Sequence, residues 1–177
     1  YRTNLPAQPT IVIGRDVEIA TVRDALRRAD VRLMTLSGPG GIGKTRLALE
    51  VAAALLDDFP DGVWFVSLAP IADSSLVVAT IAQALGLQEV SGHSFIDRLK
   101  GYLREKALLL VLDNFEQVVG AAPLIADLLT VAPTLKVLIT SRSRLRLSGE
   151  HEFVVPPLTL PARKPLPPLE RLTQYEA

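Results

Sequence analysis

The sequence feature that most constrains the fold is a glycine-rich stretch at residues 37–45, with the sequence SGPGGIGKT. The stretch matches the pattern G-x-x-x-x-G-K-[ST] in full. A short apolar run at residues 32–37 precedes it, and apolar residues recur at helical spacing over residues 46–56. This agreement between motif and flanks argues against a chance Lys-Thr pair in a glycine-rich turn. We therefore predict a buried strand, a phosphate-binding loop and a helix, in that order.

The predicted loop has the chemistry of a site for a nucleoside triphosphate. Glycines let the backbone curl without Cβ clashes, so that successive N–H groups can point at one anion. The N-terminus of the following helix adds unpaired N–H groups and the positive end of its dipole. Lys44 is expected to reach the β- and γ-phosphates, and the Thr45 hydroxyl to bind Mg²⁺. The predicted nucleotide contacts in this stretch are Gly38, Pro39, Gly40, Gly41, Ile42, Gly43, Lys44, Thr45 and Arg46.

Composition limits both the fold and the partners. The chain has 177 residues, the size of one domain, and its hydrophobic content of 49% with only 5% aromatic residues suits a buried parallel sheet covered by helices. The 19 basic and 19 acidic residues balance, so no direct contact with nucleic acid is expected. The absence of cysteine excludes disulfides and a thiol nucleophile. The sequence has neither a membrane-span pattern nor a signal-peptide pattern, so we expect a cytoplasmic protein without membrane contact.

A second diagnostic run at residues 107–113 is apolar and ends in Asp113. A parallel strand would carry this carboxylate to the same sheet edge as the phosphate loop. A strand-ending aspartate is often only a turn former, but the loop upstream favours Asp113 as a Mg²⁺ ligand, acting through water. Asn114 follows, and an amide can orient water but cannot take its proton. Glu116 is the nearest carboxylate that could serve the attacking water, and we expect slow hydrolysis.

The segment at residues 13–18, IGRDVE, precedes a helical pattern, and its acidic residues could serve only as favourable charges at a helix start. It also resembles the hydrophobic-Gly-Arg-Asp/Glu-x-Glu signature of the STAND class of NTPases. That class includes the NB-ARC ATPases and the AfsR- and LuxR-type bacterial regulators. The resemblance implies that this segment lies over the adenine and ribose of ATP or ADP. The residues implied are Val12, Ile13, Gly14 and Arg15.

A later apolar run at residues 136–142 ends in Thr-Ser-Arg. In the same resemblance, such a strand end supplies a sensor, in which Arg142 meets the γ-phosphate and distinguishes triphosphate from diphosphate. A guanidinium suits this role because it is always charged and binds phosphate oxygens bidentately. The alternative is a solvated basic loop, since Arg144 and Arg146 follow at alternate positions. The pattern favours the sensor role for Arg142 and leaves the other two at the surface.

Three segments are expected along the chain. Residues 1–9 form an N-terminal lead-in, and residues 10–160 form the nucleotide-binding α/β domain. Residues 161–177 form a proline-rich connector and the start of a truncated helical subdomain. The expected fold is that of a P-loop NTPase, a three-layer α/β/α arrangement with an open parallel sheet of about five strands. In it, Asp113 ends a strand next to the phosphate-loop strand.

The function that we expect is a signal-transduction switch, which binds ATP or ADP and hydrolyses ATP slowly with Mg²⁺. The resemblance implies that it is excised from a larger bacterial regulator. Its partners would be the helical, winged-helix, repeat or effector domains of the parent polypeptide, and a second copy if nucleotide promotes self-association. One alternative is a small-molecule kinase, which would need an acceptor pocket and usually an arginine-bearing lid. Another is a scaffold that binds nucleotide without hydrolysis, which Asn114 favours.

Overall fold

The computed structural model describes residues 2–8, 13–88 and 94–158. The five strands are β1 (Leu33–Ser37), β2 (Val63–Ser67), β3 (Leu109–Asp113), β4 (Lys136–Ser141) and β5 (Glu150–Val154). The α-helices are α1 (Asp16–Arg27), α2 (Lys44–Ala54), α3 (Val77–Ala84), α4 (Phe95–Leu103) and α5 (Ala122–Val131). The expected connector and helical start at residues 161–177 lie outside the described residues. No helix in the described part of the chain has the length and apolar character that a membrane span requires.

All five strands are parallel, and helices cover both faces of the sheet. Side chains alternate between the faces along each strand, so that Leu110 and Leu112 of β3 join one core while Leu109 and Val111 join the other. The first core packs against α3, α4 and α5, and the second against α1 and α2. The predicted three-layer α/β/α class is therefore confirmed. Burial on both faces explains why the strand sequences are continuous apolar runs.

The strand order is β2-β3-β4-β1-β5. The expectation that Asp113 ends a strand next to β1 is wrong, because β4 lies between β3 and β1. Val137 of β4 pairs with Leu33 of β1 on one side and with Leu110 of β3 on the other. A continuous apolar run suits any interior position of a parallel sheet, so the pattern of a single strand does not reveal its neighbours. Asp113 therefore reaches the phosphate loop across the end of β4.

Residues 2–4, part of the segment expected to be a lead-in, lie along the free edge of β2. The Val63 amide donates to the carbonyl of Arg2 at 3.1 Å. The Asn4 side chain acts like a peptide unit, since it accepts from the Phe65 amide at 2.6 Å and donates to the Phe65 carbonyl at 2.8 Å. These contacts cover peptide groups that an edge strand would otherwise leave unpaired.

Two cationic side chains cap helices at the amino end of the sheet. Lys136, the first residue of β4, donates to two carbonyls at the C-terminal end of α1, at 2.5 Å each. Arg32, directly before β1, donates to two carbonyls at the end of α5, at 2.6 and 2.5 Å. Burial lowers the pKa of both side chains. These bonds fix helices from both layers to the strands that position the phosphate loop.

Candidate nucleotide-binding site

The carboxyl ends of β1, β3 and β4 meet at one edge of the sheet. Strand β1 ends at Ser37 and leads into the loop at residues 38–43, and α2 begins at Lys44. Gly41 and Gly43 have φ angles of +77° and +94°. Glycine enters this left-handed region without a Cβ clash. The loop therefore takes the tight curl that its glycine pattern predicts.

Lys44 is almost fully buried, with 7% of its surface exposed, although it is charged. Its ammonium donates hydrogen bonds to the carbonyl oxygens of Gly38 at 2.7 Å and Pro39 at 2.9 Å. An ammonium group has three protons, so these two bonds leave one for another acceptor. The lysine thus holds a positive charge directly against the loop where the phosphates are predicted to bind.

Thr45 and Asp113 come from separate motifs and lie in direct contact. The Thr45 hydroxyl donates to Asp113 Oδ1 at 2.6 Å, and the carboxylate is 6% exposed. A hydroxyl and a carboxylate are hard oxygen ligands of the kind that Mg²⁺ prefers in proteins. The two residues therefore fit a magnesium ion, which would also take oxygens from phosphate groups.

The turn after Asp113 places a second carboxylate at the site. Asn114 has φ 64° and ψ 45°, a left-handed conformation that asparagine tolerates better than most residues. The chain then enters a 3₁₀ turn, Phe115–Gln117, in which Phe115 is fully buried. Glu116 is left beside the loop, and its Oε2 atom is buried without a hydrogen-bond partner among the described residues. Such an atom is rare in folded proteins and suggests a ligand-binding or catalytic role.

Arg142 and Glu116 form one wall of a cleft of about 400 Å³. The Nε atom of Arg142 lies 3.7 Å from Glu116 Oε1, and the arginine side chain is 72% exposed. A Cβ built on Gly40 would lie 3.9 Å from an Arg142 Nη atom, so the guanidinium is close to the loop. The cleft is lined by Gly40, Gly41, Gly43, Lys44, Thr45, Arg46, Asn114, Glu116, Gln117 and Arg142. Its size suits a small-molecule ligand.

Arg15, for which a nucleotide contact is predicted, is engaged with the phosphate loop. The residue is 4% exposed. Its Nη2 atom donates to the carbonyl of Ile42 at 3.1 Å, and its Nη1 atom donates to Glu18 Oε1 at 3.0 Å. A guanidinium offers five N–H donors, so a further contact with nucleotide is compatible with these bonds. The structure thus adds a bracing role for Arg15, and the nucleotide contact stays a prediction.

The other predicted contacts ahead of the loop are only partly described. Ile13 is 84% exposed and Gly14 has a φ of +75°, while Val12 lies outside the described residues. Arg46, the last predicted contact on the loop side, lines the cleft and lies 3.7 Å from Glu50. Direct contacts of these four residues with a nucleotide stay predictions.

Thr140 is a site residue to which the sequence analysis assigns no role. Its hydroxyl donates to Asp113 Oδ1 at 2.7 Å, and it accepts a hydrogen bond of 3.0 Å from the Asn114 amide. The residue is fully buried near the end of β4. The available signal was a hydroxyl residue at the carboxyl end of an otherwise apolar run, but that pattern alone does not name its partner.

The parallel sheet, the glycine loop between β1 and α2, and the contact between Thr45 and Asp113 define a P-loop nucleotide-binding domain. The chain belongs to the NB-ARC domain family, whose model matches residues 15–153. The match includes the loop, Asp113 and Arg142. The family resemblance stated from the sequence is therefore confirmed.

Relatives of the chain include longer bacterial regulators. A protein of Mycobacterium tuberculosis described as an HTH-type transcriptional regulator is 43% identical over 133 residues, which are 75% of this chain and 15% of that protein. The regulatory protein AfsR of Streptomyces griseus is 30% identical over 159 residues, covering 83% of this chain and 16% of AfsR. The chain thus spans only about one sixth of the length of these relatives.

Solved structures share the fold at low sequence identity. Cdc6p from Pyrobaculum aerophilum aligns with a TM-score of 0.60 and 18% identity over 84% of this chain and 47% of that one. The ORC2 protein of Aeropyrum pernix, solved in ADPNP–ADP complexes, aligns with a TM-score of 0.55 and 19% identity over 78% of this chain and 43% of that one. These likenesses establish the fold alone.

Proposed function

We propose that the chain is a nucleotide-dependent switch domain, which binds ATP or ADP with Mg²⁺ and hydrolyses ATP slowly. The observation that carries this proposal is the hydrogen bond of 2.6 Å between the Thr45 hydroxyl and Asp113 Oδ1. The two residues are 68 positions apart, yet they meet beside the phosphate loop. Burial of a carboxylate is unfavourable, so a glycine-rich turn without a ligand offers no reason for Asp113 at this position.

Binding would begin with the polyphosphate. The loop amides and the N-terminus of α2 would surround the phosphates, and the third proton of the Lys44 ammonium would reach their oxygens. Thr45 and Asp113 would hold the magnesium ion. Bound Mg²⁺ supplies neutralisation of the charge on the β- and γ-phosphates. The likeness to NB-ARC domains favours adenine as the base.

Hydrolysis would depend on Glu116. Glu116 lines the same cleft as Lys44 and Thr45, and its Oε2 atom, which has no hydrogen-bond partner among the described residues, would accept a hydrogen bond from a water bound with the nucleotide. Asn114, directly after Asp113, cannot take a proton. With a single, displaced carboxylate as base, we expect turnover below about one per second, the lower end of the range for ordinary enzymes.

The switch itself would be formed by Arg142 and Glu116. A γ-phosphate in the cleft would compete with Glu116 for the exposed guanidinium, whose present contact is 3.7 Å long. ATP and ADP would therefore favour different positions of the loop that follows β4. The binding energy of the nucleotide would thus shift the population between these two loop positions, and no metabolite would be transformed.

Neighbouring domains of a longer polypeptide would respond to the change between the ATP-bound and ADP-bound conformations. Two observations support this: the relatives include proteins described as transcriptional regulators, and the chain covers about one sixth of their length. We propose helical, winged-helix and repeat or effector domains as partners, and nucleotide-promoted self-association through them. The charge balance of 19 basic and 19 acidic residues gives no support for DNA binding by this chain itself.

The proposal is tested by calorimetric titration of ATP, ADP and GTP, each with Mg²⁺ and with EDTA. We expect saturable binding of the adenine nucleotides, strengthened by Mg²⁺. Lys44→Ala should weaken binding by about tenfold or more, because it removes a charge-assisted hydrogen bond. Lys100→Ala is the matched control, since Lys100 pairs with Asp127 away from the cleft. This variant should bind nucleotide with the affinity of the unchanged chain.

Two outcomes would reject the proposal. One is the absence of saturable binding in any condition, and the other is equal affinity in Lys44→Ala and in the unchanged chain.

A phosphate-release assay then separates the hydrolase from the alternatives. Release that depends on Mg²⁺ and on Lys44 supports the switch, binding without release supports a non-hydrolysing scaffold, and phosphoryl transfer to an added nucleoside or metabolite supports a kinase.

A further inference from the structure

Thr140 stands between the phosphate loop and the acidic strand end. It belongs to β4, which is paired with β1 on one side and with β3 on the other. Its side chain is fully buried, as are those of Val137, Leu138 and Ile139 earlier on the same strand. We propose that Thr140 is the positioning residue that fixes the Asp113 carboxylate for metal binding.

The hydrogen bonds of Thr140 determine the direction of its only hydroxyl proton. The backbone N–H of Asn114 donates to the Thr140 hydroxyl oxygen at 3.0 Å. The hydroxyl itself donates to Asp113 Oδ1 at 2.7 Å. A threonine hydroxyl has one proton, and an ionised carboxylate can only accept, so the proton must point toward Asp113. The hydroxyl thus links the carboxylate to the turn that follows it.

The same oxygen of Asp113 accepts a second hydroxyl, that of Thr45, at 2.6 Å. Both bonds fall on Oδ1, whereas Oδ2 accepts no hydrogen bond within the part of the chain that the structure describes. Two donors on one oxygen hold the plane of the carboxylate and leave the other oxygen for water or metal. Hydrogen-bonding partners of this kind orient ligating carboxylates in metal sites.

Thr140 has a specific advantage over the isosteric valine. Valine would suit the strand and the burial equally well, and an unsatisfied buried hydroxyl would be unfavourable. Both hydrogen bonds of the Thr140 hydroxyl go to the Asp113–Asn114 turn. The hydroxyl is therefore explained by its action on Asp113, and this inference rests on the magnesium site of the proposed function.

The test measures how strongly Mg²⁺ promotes nucleotide binding. A fluorescent ATP analogue is titrated in EDTA and over a range of Mg²⁺ concentrations, with Thr140→Val, Thr140→Ser and the unchanged chain. In Thr140→Val we expect the Mg²⁺ requirement to rise about tenfold, which is typical of lost partners of metal ligands. Affinity in EDTA should change less than about twofold, since the loop contacts remain. Thr140→Ser keeps the hydroxyl, so its Mg²⁺ requirement should equal that of the unchanged chain.

Thr35→Val is the matched control. Thr35 is also fully buried in a strand, and its hydroxyl donates to a carboxylate, Glu150 Oε1, at 2.6 Å. Thr35 has no hydrogen bond with Asp113 in the described part of the chain. The Thr35→Val variant should therefore lose stability while its Mg²⁺ requirement stays unchanged. A rise in the Mg²⁺ requirement of Thr35→Val equal to that of Thr140→Val would mean that lost stability alone is responsible, and would overturn the inference.

Further outcomes separate this inference from the proposed function. An unchanged Mg²⁺ requirement in Thr140→Val, with nucleotide binding intact, would overturn the role of Thr140 alone. Failure of the unchanged chain to bind nucleotide would overturn both proposals. If Thr140→Val does not fold, Thr140→Cys replaces it, because a thiol has a similar shape but is a weak donor. A Mg²⁺ requirement in Thr140→Cys equal to that of the unchanged chain would then reject the inference.

Discussion

Arg15 donates a hydrogen bond of 3.1 Å to the carbonyl of Ile42, a residue of the phosphate loop that lies 27 positions further along the chain. The guanidinium is oriented by Glu18, with which it forms an ion pair of 3.0 Å. The start of α1 is therefore joined to the phosphate loop by a side-chain hydrogen bond. The hydrogen bond between Arg15 and Ile42 thus links the Gly-Arg-Asp segment, which precedes the first strand, to the phosphate loop.

Replacement of Arg15 by alanine should weaken nucleotide binding by about tenfold, because the loop loses a charge-assisted hydrogen bond that helps to hold its shape. The measurement is calorimetric titration with ADP and Mg²⁺. Arg23→Ala is the control, since Arg23 lies on the same helix and pairs with the exposed Asp24. Equal affinities in both variants would show that the brace is not needed for binding.

Glu116→Gln should abolish most of the ATP hydrolysis without weakening ATP binding. The amide can still orient water but cannot accept its proton, and loss of a general base typically lowers rates by about 10²–10⁴-fold. Single-turnover phosphate release and nucleotide titration measure the two quantities separately. Glu105→Gln, at an exposed position away from the cleft, is the control. Hydrolysis at the original rate in Glu116→Gln would exclude Glu116 as the base.

Arg142→Ala should reduce discrimination between ATP and ADP. A guanidinium that meets only the γ-phosphate strengthens ATP binding and leaves ADP binding unaffected, so we expect the ratio of the two affinities to change about fivefold or more. Arg144→Ala is the closest matched control, because Arg144 is exposed on the same loop and lies outside the cleft lining. A preserved ratio in Arg142→Ala would remove the sensor role.

Asp61 should make the fold sensitive to acid. The Ala107 amide donates to its carboxylate at 2.9 Å and Lys106 at 3.0 Å, and these bonds hold its pKa below the ordinary value of 3.8. A depressed carboxylate pKa contributes stability that is complete above about pH 5 and is lost as pH falls through the folded pKa. Asp61→Asn should therefore lower the melting temperature at pH 7 by about 2–4 °C.

The pH dependence gives this prediction its control. The stability difference between Asp61→Asn and the unchanged chain should shrink as the pH falls below about 4, because protonation then removes the same interaction from the unchanged chain. Asp57→Asn, at an exposed position in the same region, should behave as the unchanged chain does. Thermal unfolding followed by circular dichroism from pH 3 to pH 7, a range set by the carboxylate pKa, provides the measurement. A difference that stays constant over this range would contradict the assignment.

Local patterns predicted the parts of the site that lie in one contiguous stretch. The loop at residues 37–45 and the strand end at Asp113 are such parts, because both the motif and its flanking elements are written in adjacent residues. The role of Thr140 and the contact of Arg15 with Ile42 were not predicted. Each of these depends on a partner 27 positions away, and apolar periodicity carries no information about such pairs.

The strand order escaped prediction for a related reason. Runs such as β3 and β4 are buried on both faces, so they share one pattern whatever their neighbours are. Only the structure shows that β4 lies between β1 and β3. This order matters for the site, since it brings Thr140 between the loop and Asp113.

The pairing of Asn4 with Phe65 bears on how the protein should be produced in the laboratory. Expression boundaries drawn from the family match would begin at residue 15 and would omit Asn4. The peptide groups of Phe65 would then face solvent on a bare strand, which favours fibrillar or amorphous precipitation. Recombinant versions that retain residues 2–8 should remain soluble at higher concentrations than versions trimmed to the motif-bearing region.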